Sequence, residues 1–460
     1  MDIGVIGVGV MGENLVMNML DKGHSVAIYN RTHEKTTKLI GQVSSEKQDM
    51  AQGCASLEEL VKALRQPRKI LLMVKAGRVV DAFIEKLRPL LSKDDLIIDG
   101  GNSHFNDTTR RCQESAGHHY FIGCGISGGE EGARHGPSLM PGGDVLAWEG
   151  ALPLFSSIAA VSTSKTPCCE WIGGEGSGHL VKTVHNGIEY AEMQILADMY
   201  QVLRGTRDPA SIEQMLSGWR DKGTSGFLLE ALQTVFKKAH NGQPIIDQIV
   251  DEAQQKGTGA WTAEEGLRAG VPIPTISEAV TSRVISSMKQ VRTSLGSLPS
   301  GAEASSEGFT EGELMKAFML CRAISYTQGL NLIKKVSSTN GWGIDLSVLC
   351  RVWSNGCIIR SEFLDVLSRM TASEVLESSV DFVLIATDGI APLRKVVSHA
   401  ISTGVAVPCL STSLSYYDAL RTEEGPGNLI QALRDFFGAH TLLLKGETEP
   451  VHIDWSMAVQ

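Results

Sequence analysis

Short apolar runs alternate with stretches of helical period over the first third of the chain, and the alternation stops near Gly178. Residues 3–6 read as a strand, after which Leu15, Val16, Met19 and Leu20 recur at helical spacing. Further strands are predicted at 25–29, 69–74 and 96–98, and a helix at 77–91. Ser56-Leu57-Glu58-Glu59 has the form of a capping box that opens another helix. Strand–helix alternation of this kind predicts a mostly parallel, doubly wound sheet with helices on both faces. Ligands of such sheets sit beyond the carboxyl ends of the strands, where 75–77 and 100–102 fall. The stretch ISGGEEGARHGPSLMPGG at 126–143 fits neither period and is expected to be a long binding loop. Its glycines would expose backbone N–H groups, and a flexible linker would not carry paired glutamates, an arginine, a histidine and two prolines.

Past Gly178 amphipathic helical runs dominate. In the first of them Lys182, His185, Asn186, Glu189 and Tyr190 share one face, with Leu180, Val181, Val184 and Ile188 on the other. A solvated face usually carries Glu/Lys pairs and glutamines, so this stripe is a candidate site; the plainer reading is a polar helix surface. A weak repeat recurs at an offset of about 136 residues: Ile188-Glu189-Tyr190 answers Ile324-Ser325-Tyr326, Phe227-Leu228 answers Phe363-Leu364, and Val271-Pro272 answers Val407-Pro408. Two related helical units at roughly 180–315 and 316–425 are predicted, joined by a Ser/Gly-rich stretch near 293–312. Only the first unit carries the polar stripe.

Length and composition narrow the picture. At 460 residues, with 42% hydrophobic and 20% charged residues, the chain is expected to be globular, with about three portions. No apolar run approaches the ~18 residues of a membrane span, and no signal peptide is read at the start. A net charge of −10 argues against nucleic acid and anionic membranes as partners. Nine cysteines without a CxxC pair fit reduced thiols in a cytoplasmic protein, with no metal site.

The 48 glycines matter by position. Gly7-Val8-Gly9-Val10-Met11-Gly12 places GxGxxG between a strand and a helix, the context of a dinucleotide fingerprint. The second strand ends at Asn30-Arg31-Thr32 with no acidic residue to hold a ribose 2′-hydroxyl, while arginine and threonine offer donors to a 2′-phosphate. NADP is therefore expected over NAD. Lys256-Gly257-Thr258-Gly259-Ala260-Trp261-Thr262 reads as an anion-binding turn, or as an ordinary loop.

These segments together resemble the 6-phosphogluconate dehydrogenase family over the whole chain. The resemblance rests on GVGVMGENL at 7–15, NRT at 30–32, VKAG at 74–77, DGGN at 99–102, the 126–143 stretch, KTVHNGIEY at 182–190, KGTGAWT at 256–262, GCIIR at 356–360 and RDFFGAH at 434–440. It implies an N-terminal Rossmann-type doubly wound domain at 1–177, an all-helical domain of duplicated units at 178–425, and a tail at 426–460 that reaches a partner subunit. It also implies oxidative decarboxylation of 6-phosphogluconate by NADP. Lys182 would be the general base and Glu189 the general acid. Asn102, Ser127, Gly128, Gly129, His185 and Asn186 would hold the sugar acid. Tyr190, Arg283 and Arg434 would grip its phosphate, with His440 nearby. Gly7, Gly9, Val10, Met11, Gly12, Asn30, Arg31, Thr32, Val74, Lys75, Ala76 and Asn102 would hold NADP, with Glu130 near the nicotinamide. Arg434 and His440 would serve the neighbouring subunit of a homodimer.

Two positions depart from the family pattern. Ala260 stands where many members carry a lysine, and Phe436 where a tyrosine is frequent. Losing one ammonium contact to phosphate costs ~1–3 kcal/mol, which predicts a weaker grip on substrate. Two other readings remain open from the residues: a dehydrogenase of another β-hydroxy acid, and a catalytically silent NADP-binding dimer. Paired arginines at the phosphate end speak against the first, and the intact Lys182–Glu189 face against the second.

Overall fold

The computed structural model describes residues 1–220, 222–255, 257–299, 302 and 308–456. Seven strands form one sheet: β1 (Ile3–Ile6), β2 (Val26–Tyr29), β3 (Ala51–Gly53), β4 (Lys69–Leu72), β5 (Leu96–Asp99), β6 (Tyr120–Ser127) and β7 (Ser138–Gly143). Their order is β3-β2-β1-β4-β5-β6-β7. The first six are parallel, and β7 runs antiparallel on the edge. Helices α1 (Val10–Asp21), α2 (His33–Gln42), α3 (Leu57–Ala63), α4 (Arg78–Leu87), α5 (Phe105–Ser115), α6 (Gly129–His135) and α7 (Val145–Ile158) fill the connections. Strand alternation sends Ile3 and Val5 into one buried cluster with Leu15 and Val16, and Ile6 into another with Leu60 and Ile70. Both faces of the sheet are thus covered, as the alternation predicts.

Two local expectations are corrected. Residues 126–143 are not a long loop. They hold the end of β6, the short helix α6 and strand β7. Gly128, Gly136 and Gly143 have positive φ and make the tight turns, and Pro141 is tolerated because β7 is an edge strand. At Ser56 only half of a capping box forms. Ser56 accepts from Glu59 N, but the Glu59 carboxylate reaches Ala55 N instead of the cap residue.

Apart from a small antiparallel pair, Ala239–His240 with Gln243–Pro244, the regular structure that follows is helical: α8 (Ser177–Leu203), α9 (Pro209–Arg220), α10 (Phe227–Lys237), α11 (Thr258–Ala269), α12 (Pro274–Ser287), α13 (Lys289–Leu295), α14 (Glu311–Asn340), α15 (Leu346–Trp353), α16 (Phe363–Met370), α17 (Val380–Ser402), α18 (Pro408–Leu420) and α19 (Gly427–Gly438). The sequence repeat reappears as a matched succession. Long α8 and α14 each lead, and α10 opens at Phe227 and α16 at Phe363; α18 opens on Pro408, whereas α12 opens on Pro274, two residues past Pro272. The two lead helices meet where Gly329 has no side chain; a Cβ there would lie 2.6 Å from Ile188. A buried Arg322–Glu192 pair at 2.9 Å, joined by Tyr326, also links them.

By contact the chain divides into two compact units, 1–413 and 414–460. Within the second, Leu442 and Val451 exchange backbone hydrogen bonds beyond α19 and close a loop. Among the described residues no helix is long and apolar enough to cross a membrane.

Candidate active site

The first half of α8 lies against β6 and β7, and glycines make the approach possible. A Cβ at Gly125 would sit 2.5 Å from the Lys182 Cβ, one at Gly123 2.7 Å from the His179 ring, and one at Gly142 2.2 Å from Ser177. Part of the glycine surplus therefore serves helix–sheet contact, where the sequence suggested ligand contact. The polar stripe is consequently no solvated face: Lys182, His185, Asn186 and Tyr190 are all buried.

The stripe assembles around His185. Its Nδ1 lies 3.5 Å from Lys182 Nζ, 3.1 Å from Asn186 Oδ1 and 3.8 Å from Glu189 Oε2. Its Nε2 lies 3.1 Å from Ser127 Oγ. The Asn186 amide donates to Thr258 Oγ1 at 3.1 Å, which turns its oxygen toward His185. Burial pushes the Lys182 ammonium below the usual lysine range, with Glu189 and Cys357 acting the other way. Burial and the neighbouring lysine hold His185 neutral, well below the usual imidazole value. Burial raises the Glu189 carboxyl, against the pull of Lys182 and Arg283. A buried lysine disposed to lose its proton and a carboxyl disposed to keep one are the parts of a general base and a general acid.

At the far end of the stripe the Arg283 guanidinium lies 3.4 Å from the Tyr190 ring centre. Gly259, in the first turn of α11, approaches the same ring; a Cβ there would come within 2.5 Å of it. Ala260 follows in that turn, and Lys256 lies outside the described residues.

Two loops at strand ends face the sheet's carboxyl edge. Asp99, wholly buried, accepts from Gly101 N at 3.0 Å and Ser103 Oγ at 2.6 Å, which shapes the turn bearing Asn102. Arg111 donates to Asp81 at 2.7 Å, to the Gly77 carbonyl at 3.1 Å and to Asp99 at 3.5 Å. One guanidinium therefore ties the 75–77 turn to the 99–103 turn. Asn102, Lys75 and Glu130 are exposed, while Val74, Ala76 and Gly129 are half-buried.

The fingerprint glycines separate by cause. A Cβ at Gly7 would meet the Met73 carbonyl at 2.3 Å, and one at Gly12 the Gly7 carbonyl at 2.1 Å, so packing alone excludes side chains there. A Cβ at Gly9 would meet nothing within 4 Å. The open space beside Gly9, at the start of α1, suits a pyrophosphate that approaches the backbone. Val10 is exposed and Met11 half-buried on that turn. Asn30 Oδ1 accepts from Val8 N at 3.0 Å and braces the turn, with Arg31 and Thr32 exposed beyond it. These residues fit a bound NADP. Among the described residues no group of three His, Cys, Asp or Glu side chains could hold a metal ion.

Arg434 and His440 lie in the separate C-terminal unit, on α19 and the turn after it. Three contributors escape the sequence reading. Trp353 sets its ring edge-to-face on His185 at 5.6 Å, Cys357 influences Lys182, and Arg111 joins the two strand-end turns. The GCIIR segment marks the second of these in the sequence; nothing local marks the others.

Family models match end to end: the NAD binding domain of 6-phosphogluconate dehydrogenase over residues 2–173, and the 6-phosphogluconate dehydrogenase C-terminal domain over 178–455. The decarboxylating 6-phosphogluconate dehydrogenase of Schizosaccharomyces pombe is 40% identical over 474 residues, covering 99% of this chain and 96% of its own. That of Rattus norvegicus is 42% identical over 476 residues, with the same coverage of 99% and 96%. The solved structure of the Plasmodium falciparum enzyme, studied apo, with its cofactor NADP+ and with its substrate 6-phosphogluconate, superposes with a TM-score of 0.93 at 34% identity, covering 99% of this chain and 100% of that one. Sequence, helix succession and overall superposition point one way: this chain belongs to the 6-phosphogluconate dehydrogenase family.

Proposed function

We infer that the chain catalyses NADP-dependent oxidative decarboxylation of 6-phosphogluconate to ribulose 5-phosphate, CO2 and NADPH, a reaction of the pentose phosphate pathway. The observation that carries the reading is the Lys182–His185–Glu189 constellation, whose lysine is pushed down and whose glutamate is pushed up.

Bound NADP supplies a hydride acceptor. Lys182, neutral, takes the proton of the C3 hydroxyl as hydride leaves C3. The resulting 3-keto acid breaks its C1–C2 bond, and the bond pair passes into the carbonyl as CO2 departs. Lys182, now protonated, returns its proton to the developing enolate oxygen. Glu189, held protonated, delivers its proton to the carbon that carried the carboxylate, which becomes C1 of the product, while the enediol hydroxyl on the neighbouring carbon gives its proton back to Lys182 and becomes the ketone. Ser127 and neutral His185, 3.1 Å apart, present a hydroxyl and an imidazole to the sugar acid, with Asn102, Asn186, Gly128 and Gly129. Tyr190 and Arg283 receive the phosphate, joined from a second subunit by Arg434, with His440 nearby. The fingerprint turn, Asn30–Thr32, the 74–76 turn, Asn102 and Glu130 hold the cofactor. In this reading 1–177 binds the dinucleotide, 178–425 is the helical domain, 426–460 reaches the partner of a homodimer, and the protein works in the cytoplasm.

The test is to mix the protein with NADP and 6-phosphogluconate and follow NADPH absorbance together with released CO2. Equal amounts of both are expected, with NAD a poor replacement. NADPH without CO2 would point to another β-hydroxy acid, and no signal to a silent binder.

A further inference from the structure

The C-terminal unit contains one wholly buried carboxylate in a segment that is otherwise mostly exposed. Asp435 directly follows Arg434 on α19 and accepts from four donors. Its Oδ1 receives Thr441 N at 2.8 Å and His452 Nδ1 at 3.0 Å, and its Oδ2 receives Ile453 N and Trp455 Nε1, each at 3.0 Å. The donors come from two places: the turn immediately after His440, and the last described stretch of the chain. Desolvation raises the carboxyl's pKa, yet these hydrogen bonds and His452 outweigh it and hold Asp435 at about 2.

The turn they hold is conformationally demanding. Ala439 and Thr441, the residues on either side of His440, have φ of 48° and 60°. Left-handed backbone is costly for alanine and more so for a β-branched threonine, and such residues persist only where surrounding bonds over-determine them. Gln431 supplies the second brace. Its Nε2 donates to the Thr441 carbonyl at 2.7 Å, and its Oε1 accepts from Arg434 Nη1 at 3.0 Å. His440 itself rests against Gly438, where a Cβ would come within 2.7 Å of the ring. Phe436 meets Trp455 edge-on at 6.2 Å. The position where a tyrosine is frequent thus takes part in this contact through its ring.

We propose that Asp435 is a positioning residue for substrate capture: it straps residues 452–455 over the turn after α19 and so fixes Arg434 and His440 in the orientation that receives a phosphate. The proposal deepens the reading that these two residues grip the sugar acid's phosphate and rests on it. Asp435 itself touches no substrate. Its effect falls on affinity for the phosphorylated acid, with chemistry and cofactor binding left to the other unit.

The experiment uses the full chain and compares Asp435→Asn and Trp455→Phe with Arg434→Ala and His440→Ala. Asparagine keeps the shape but sets an amide N–H2 against donors; phenylalanine removes the single indole donor and keeps an aromatic, though smaller, ring. The expected results are a rise of about tenfold in KM for 6-phosphogluconate in Asp435→Asn and two- to fivefold in Trp455→Phe. The kcat and the KM for NADP should hold within about twofold, because a general loss of structure would lower kcat and weaken both ligands. Asp435→Asn and Arg434→Ala combined should raise KM by less than the product of the single effects. Unchanged KM in Arg434→Ala and His440→Ala would overturn the functional reading beneath the proposal. Raised KM in those two with unchanged KM in Asp435→Asn and Trp455→Phe, or an equal rise in KM for NADP, would overturn the strap. Should Asp435→Asn fail to fold, Trp455→Phe decides alone.

Discussion

Lys182 and Glu189 stand two helical turns apart on α8 with the neutral ring of His185 between them, 3.5 Å from the lysine nitrogen and 3.8 Å from the carboxylate oxygen. Burial shifts the two groups in opposite directions: Lys182 loses its proton more readily and Glu189 keeps its own longer. Each is brought toward the pH at which proton transfer is useful.

Activity should therefore be bell-shaped in pH. The rate rises as Lys182 gives up its proton and falls as Glu189 gives up its own. Glu189→Gln should lower kcat by about 10²–10⁴ and flatten the alkaline limb; Lys182→Met should suppress NADPH formation by a similar factor. Rate measurements between pH 5 and 10 check both, and full activity in either variant would remove the roles assigned.

The same burial sets a trade between activity and stability. Between its lowered folded value and the ordinary 10.5, Lys182 binds a proton more readily in the unfolded chain, so stability rises with pH across that window. At lower pH the buried ammonium is a full burden. Glu189 behaves oppositely: between 4.5 and its raised value the folded chain holds the extra proton, and stability falls as pH rises. Lys182→Met should raise Tm at pH 7 by on the order of 2–4 °C while suppressing turnover. A fall in Tm by calorimetry would contradict this.

Ala260 lies in the first turn of α11, directly after Gly259, which abuts the Tyr190 ring. Restoring an ammonium there should strengthen phosphate binding by ~1–3 kcal/mol, so Ala260→Lys should lower the KM for 6-phosphogluconate by about tenfold with kcat little altered. An unchanged KM would show that Arg283 and the other cations already saturate the phosphate.

Arg111→Met leaves Asp99 buried without its cation and cuts the tie between the 75–77 and 99–103 turns. Breaking a buried pair in this way should cost ~3–5 kcal/mol of stability in denaturant unfolding, and the KM for NADP should rise. Ser103→Ala, which removes only one hydrogen bond to Asp99, should cost about 1 kcal/mol.

Much of this site is legible in the chain because its main parts share one helix. Spacing alone puts Lys182, His185, Asn186 and Glu189 on a common face, and the strand–helix rhythm around Gly7–Gly12 announces the fingerprint turn. What stays hidden is what tertiary contact supplies. Trp353 reaches His185 across some 170 residues of sequence, and Thr258 reaches Asn186 across 72. The 126–143 segment reads as a loop because α6 has only seven residues and β7 six, three of which are Pro141, Gly142 and Gly143. Their periodicity is too brief to register, and β7 becomes a strand through its pairing with β6. Asp435 passes unnoticed because nothing in RDFFGAH reveals that its carboxylate is turned inward.

The placement of Lys182, His185 and Glu189 on α8 has a mechanical consequence. Seven residues of α-helix fix about 10 Å of rise between Lys182 and Glu189, with no joint in between. Thermal tilting, a bound ligand or a substitution in a surrounding loop can displace α8, but it carries all three groups as a single rod. The spacing of the proposed base and acid is thus a ruler cut into the backbone. A substitution outside α8, in the 74–76 turn or at Ala260, leaves that spacing as it is.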